Sequence, residues 1–283
     1  MKKTSRPQYF VSTDSIGILG KPEQFIRLWK KYFDDKTFDG VEIIAFKPLS
    51  KINELIIKLK KNNISTFTFH GKTGGENLLN FSGNVTMTIL NSIIVDVKTL
   101  LLRFPKIEFL AHAPYFEEKL TKKMVYQIKP KKIWVENDLN GIEGIQKVIK
   151  EINAYRRNGV EACGMLDVYH YVAKSKNIIN NWSNTVDELK SYLLLKDEED
   201  KQLFEGVHFP IGSRLDDSLP IDKMNDQMLM LFANNVIPHT KRFVLENQQA
   251  LFGLLFSTNK MLHKQKIRNK RIVDRLKKTG VIR

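Results

Sequence analysis

The chain holds a single cysteine, Cys163, which excludes an intramolecular disulfide. That usage fits a reducing compartment, and no disulfide-linked partner is expected. No apolar run reaches the roughly 18 residues that a membrane-spanning helix needs, so no membrane partner is expected. The opening residues Met1 to Pro7 are basic, but no apolar core follows them. A secretory signal is therefore not expected, and the reading is of a cytoplasmic protein. No stretch rich in Pro, Gly and Ser divides the chain, which argues for one domain.

Acidic residues are also in short supply. Asp and Glu number 31 against 46 Lys and Arg, a formal net charge of +15. Much of the excess is local. Between His263 and Arg283 stand Lys264, Lys266, Arg268, Lys270, Arg271, Arg275, Lys277, Lys278 and Arg283, with Asp274 the lone acid. Two explanations stay open: a solvated helix and tail, or a surface for an anionic partner, with nucleic acid the leading candidate.

What is present is an alternation of short β-branched apolar runs with amphipathic helical runs, the pattern of βαβ units on a parallel sheet. Eight strands are expected: Tyr9–Thr13, Gly40–Ala45, Ser65–His70, Ile107–His112, Lys132–Glu136, Glu161–Asp167, Phe204–Phe209 and Arg242–Glu246. Helical runs follow them. Pro22–Phe33 opens with proline at a helix start and sets Phe25, Leu28, Trp29 and Tyr32 on one face. Ile52, Leu55, Ile56 and Leu59 repeat the pattern, as do Gly141–Tyr155 and Asp222–Val236. A longer sixth helix is expected within Ile178–Asp200. Seven steps separate Tyr9 from Arg242, about 33 residues each, the size of one βα repeat. The reading is an α/β fold, a (β/α)8 TIM barrel over residues 1–265 with a basic C-terminal tail over 266–283. An open doubly wound sheet is the rival.

In such barrels, chemistry gathers at the C-terminal ends of the strands. Here the third ends in His70, the fourth in His112, the fifth in Glu136, the sixth in Asp167 with His170 beyond, the seventh in His208 and the eighth in Glu246. A lone histidine there is more often a hydrogen-bonded structural residue, and a lone glutamate more often a rim ion pair. Six consecutive strands ending this way weaken those explanations together. Charged groups at the mouth of an apolar barrel are costly unless paired or bound to a cation. Imidazole with carboxylate suits Zn, Mn or Fe. Glu42 and Asp14, on the first two strands, read more simply as rim ion pairs or caps. Cys163 reads as core, and His239 and His263 as incidental.

These strand ends resemble those of the xylose isomerase-like barrels, which include endonuclease IV, the UV-damage endonucleases and sugar isomerases and epimerases. Val135-Glu136-Asn137-Asp138 and Asp167-Val168-Tyr169-His170 look like the superfamily's fifth- and sixth-strand motifs. Val207-His208 and Leu245-Glu246 resemble the seventh and eighth. The resemblance implies that Glu136, Asp167, His208 and Glu246 share a divalent metal. In the isomerase branch two carboxylates also move a proton beside a carbonyl, and His170 would contact substrate. In the endonuclease IV branch His70 and His112 would add a second metal. His170 and Asp216 would serve a third, but Ser218 stands where that branch has histidine. Phe209-Pro210-Ile211 replaces its usual Asn-Asp-Ser, and Asp138 resembles the UV-damage endonucleases instead.

Two functions follow. The first is a metal-dependent phosphodiesterase on damaged, abasic DNA, which the histidines and the charge favour. The alternative is a sugar or sugar-phosphate isomerase or epimerase, with Glu136 and Glu246 exchanging the proton. The sequence tips toward the first. A binding-only barrel is the third possibility.

Overall fold

The computed structural model describes residues 6–12, 37–44, 49–71, 98–112, 125–137, 141–173, 178–211, 219, 221–247 and 270–283. Eight parallel strands close into a barrel in sequence order. They are β1 (Gln8–Ser12), β2 (Gly40–Ile44), β3 (Phe67–Gly71), β4 (Glu108–His112), β5 (Ile133–Glu136), β6 (Ala162–Asp167), β7 (Phe204–Ile211) and β8 (Arg242–Asn247). Closure comes from β1 pairing with β8, Val11 lying opposite Leu245. The expected strands are all present. Closure rules out the open sheet.

Alternation along each strand sorts side chains into two cores. Tyr9, Val11, Val41, Ile43, Phe109, Val135, Leu166, Val207 and Leu245 face outward into one core with the surrounding helices. Phe10, Leu110, Trp134, Cys163, Met165 and Val244 form a separate cluster inside the barrel. Cys163 is thus core, its thiol pushed up to about 12 by burial.

Below that inner cluster sits a polar floor. The Arg242 guanidinium lies 4.3 Å from the Phe10 ring centre and 4.6 Å from that of Trp134. It donates to Thr68 Oγ1 at 2.9 Å and to Glu108 Oε2 at 2.5 Å. The interior therefore runs from ion pair, through apolar filling, to the ionisable strand ends.

Helix α1 (Leu49–Lys60) buries Ile56 and Leu59, and α2 (Ile142–Arg157) buries Ile145, Val148 and Ile152. The short α3 (Val168–Val172) follows β6 directly. Next comes α4 (Trp182–Leu193), which lies within the expected sixth helix. Helix α5 (Asp226–Asn235) starts four residues later than the pattern suggested, because Asn225 caps it, accepting from Met228 N at 2.8 Å. The expected Pro22–Phe33 helix lies outside the described residues.

The segment set apart as a basic tail is, from residue 270 on, part of the packed body. Helix α6 (270–278) buries Ile272, Val273 and Leu276 while leaving Lys270, Arg271, Lys277 and Lys278 exposed. Arg275 Nε meets Asp226 Oδ1 at 2.7 Å. The apolar stripe was hidden in the sequence by the charges around it.

Gly206 lies inside the barrel because nothing larger fits. A Cβ there would sit 2.5 Å from Met165 Sδ and 2.9 Å from Trp134 Cζ3. Gly206→Ala is expected to cost about 1–3 kcal/mol of stability, the usual result of overpacking, read from urea denaturation.

Candidate metal centre

Each ionisable strand end is positioned by its strand's register. Pairing sets His112 beside Glu136 and Asp167 beside His208. All four are inward positions, two residues beyond the apolar filling. At β6 the chain turns at once into α3, and Asp167 is its N-cap, with Oδ1 accepting from His170 N at 2.6 Å. The Asp-x-x-His spacing is therefore a capping geometry. It places His170 three residues past Asp167, on the first turn.

Asn137 locks this arrangement. Its amide donates to Asp167 O at 3.1 Å and its Oδ1 accepts from Asp167 N at 2.8 Å. Its own carbonyl lies 3.0 Å from His170 Nδ1. Asn137 appeared in the sequence only as part of a motif, and its role as the clamp between β5 and β6 emerges from the structure.

The side chains form two adjoining donor sets. In one, His70 Nε2 lies 3.0 Å from His112 Nε2 and 3.2 Å from Glu136 Oε2, with His112 Nε2 3.5 Å from the same oxygen. In the other, His208 Nδ1 lies 2.9 Å from Glu136 Oε1, 3.3 Å from Asp167 Oδ2 and 3.4 Å from Glu246 Oε2. Glu136 gives one oxygen to each. Ligands at about 2.0–2.2 Å from a tetrahedral ion lie roughly 3.3–3.6 Å apart, which both sets approach to within about half an ångström. Among the described residues Glu136 Oε2 is buried and makes no hydrogen bond, only the two longer imidazole contacts, and a cation there would satisfy it. The residues fit a divalent metal.

Electrostatics agree with that fit. Burial disfavours an ionised Glu42, yet His208 and His70 overcome it and hold the carboxyl at about 2. Burial likewise opposes Glu136, but His112, His208 and His70 hold it well below the carboxylate range. Burial pulls His70 down, and Glu42 with Glu136 raises it to about 10. For His208, Glu42, Glu136 and Glu246 overcome burial and raise it well above 6.5. Burial also opposes a charge on His170, which Asp167 and Glu136 outweigh to raise it. Only His112 yields to burial, falling to about 3 despite Glu136. His70 therefore donates to a neutral His112 across the 3.0 Å Nε2 contact. Protons here do what a divalent cation would do.

The structure brings His70, His112, Glu136, Asp167, His170, His208 and Glu246 into one cluster. It adds Glu42, which is fully buried among them and not an ion pair on the rim. Asp216, Ser218, Asp138, Asp14 and His263 lie outside the described residues. His239 sits in the 3-10 turn Ile237–His239, away from the cluster in the chain's path before β8.

No protein-family profile and no curated protein matches the sequence. Solved structures match in fold. A D-allulose 3-epimerase from Methylomonas sp. superposes with a TM-score of 0.55 at 13% identity, covering 98% of this chain and 99% of that one. The catalytic domain of a family GH18 chitinase from the fern Peteris ryukyuensis gives 0.51 at 8% identity, covering 94% and 100%. A xylose isomerase domain protein from Planctomyces limnophilus gives 0.47 at 11% identity, covering 97% and 100%. At these identities the shared property is the (β/α)8 barrel.

The protonation pattern predicts how the metal-stripped chain responds to pH. His70 is raised from 6.5 to about 10, so its stabilisation is complete below 6.5 and is lost as pH rises toward 10. His112 is lowered to about 3, so stability also falls as pH drops from 6.5 toward 3. Thermal melts in chelator should peak near pH 6.5 and drop by pH 9. Saturating Zn²⁺ should abolish the alkaline drop, because metal competes with protons. A Tm in chelator that is unchanged or higher at pH 9 would contradict this.

Proposed function

We propose that the chain is a divalent-metal-dependent isomerase or epimerase acting on a sugar or sugar phosphate. The observation that carries the reading is the convergence of Glu136, Asp167 and Glu246 on His208 Nδ1 at 2.9, 3.3 and 3.4 Å. The barrel shared with D-allulose 3-epimerase along nearly the whole chain supports it. Fold alone hosts many chemistries, so the weight rests on the donor set.

Glu136, Asp167, His208 and Glu246 would hold the ion, with Zn, Mn and Fe all compatible with their chemistry. A bound divalent ion supplies Lewis-acid polarisation of a substrate carbonyl and its neighbouring hydroxyl. One of Glu136 and Glu246 takes the proton from the carbon beside that carbonyl, and the other returns it. His170, held through Nδ1 at the Asn137 carbonyl, contacts substrate. Burial of the acids among apolar strands excludes water from the proton's path.

A second reading has its own observation. His70, His112 and Glu136 form a further donor set beside the first. Paired ions would suit hydrolysis of a phosphodiester, including one at an abasic site in DNA. Favouring the sugar reading is the epimerase barrel.

Metal-loaded protein is expected to exchange solvent deuterium into the carbon beside the carbonyl of a ketohexose or its phosphate, seen by NMR. Glu246→Gln should lower that rate by about 10²–10⁴-fold, the usual worth of a positioned acid or base. Metal analysis showing two ions per chain, with chelator-sensitive cleavage of an abasic duplex and no sugar exchange, would replace this reading with the second.

A further inference from the structure

We propose that Glu42 is a positioning residue whose buried carboxylate sets the orientation and tautomer of His70 and His208 together, turning one bare nitrogen to each donor set. The proposal rests on the metal-centre reading above. Glu42 Oε1 lies 3.0 Å from His70 Nδ1 and 2.9 Å from His208 Nε2. A carboxylate only accepts, so both of those nitrogens carry hydrogen. With a metal in place of the second proton, each imidazole is neutral, with one N–H and one lone pair, and the lone pairs are thereby assigned. His70 presents Nε2, 3.2 Å from Glu136 Oε2, and His208 presents Nδ1, 3.3 Å from Asp167 Oδ2.

The two histidines thus use opposite nitrogens toward metal, and one oxygen fixes both choices. Neither imidazole could select its tautomer alone in so dense a group of acceptors. Glu42 is 0% exposed, and its other oxygen makes no hydrogen bond among the described residues. Its carboxylate is anchored by these two rings, so it ties one donor set to the other. Glu42 could instead ligate an ion together with the same rings. That would require lone pairs on His70 Nδ1 and His208 Nε2, leaving N–H groups aimed at Glu136 and Asp167. The two arrangements are mutually exclusive.

The test uses the full chain with Zn²⁺ or Mn²⁺ titrated by calorimetry and metal content measured after dialysis. Glu42→Ala should weaken binding by about 10–100-fold, the usual effect of losing a group that orients a ligand. Glu42→Gln keeps an acceptor oxygen and should restore affinity to within a few-fold of wild type. Wild-type affinity in Glu42→Ala, or equal loss in both variants, overturns the proposal, and equal loss points to a ligand. Imidazole ¹⁵N spectra of the Zn²⁺-loaded wild type read the tautomers without any variant. They should show hydrogen on His70 Nδ1 and His208 Nε2, and the reverse overturns the proposal. A wild type that binds no metal brings down the metal-centre reading and the proposal with it.

Discussion

Four carboxylates buried at the mouth of an apolar barrel must be answered by positive charge, and the rest of the centre follows from that. Glu42, Glu136, Asp167 and Glu246 are at most 2% exposed. An isolated ionised carboxylate in such a place is prohibitively costly. Four imidazoles, His70, His112, His170 and His208, interleave with them. Three are raised to carry protons, while His112 stays neutral. The same donors in the same places are what a divalent cation requires, so neutralisation and metal binding are alternatives for one set of atoms.

This constraint reaches back into the sheet. Side chains alternate with period two, so a slip of one residue in a strand would turn its acid or imidazole into the outer core and an outward-facing apolar neighbour into the mouth. The layered interior supports the same register from below. Arg242 against Glu108 closes the floor, and Phe10, Leu110, Trp134, Met165 and Val244 fill the middle. Gly206 leaves room for Met165 and Trp134. An apolar middle separates two polar ends, which keeps the charges of the floor from compensating those of the mouth.

The strand order and the residues of the centre were legible because both depend on local pattern. Apolar period and strand spacing announced β1 to β8, and ionisable residues at six successive strand ends announced the cluster. The Asp167-to-His170 spacing was legible too, since a cap and its first turn are adjacent in sequence. His70 and His112 do not separate the two chemistries, because histidines at those strand ends fit both. Helix α6 was masked by its own charges. The place of Glu42 was not legible, because a glutamate in the middle of Gly-Val-Glu-Ile-Ile carries no local sign that two imidazoles await it.

The sequence by itself determined the eight βα units, the inward parity and the residue types at the mouth, since each follows from neighbours within a few positions, whereas closure into a barrel joins β1 to β8 across the whole chain. Only the tertiary structure decided how those groups address one another. Glu42 meets His70 across 28 residues and His208 across 166, a meeting made when the sheet closes on itself. Asn137 reaches Asp167 over 30 residues to lock the turn that carries His170. Which nitrogen each imidazole turns inward is a property of that closed ring. For His70 and His208, no local segment contains both the ring and its partner carboxylate.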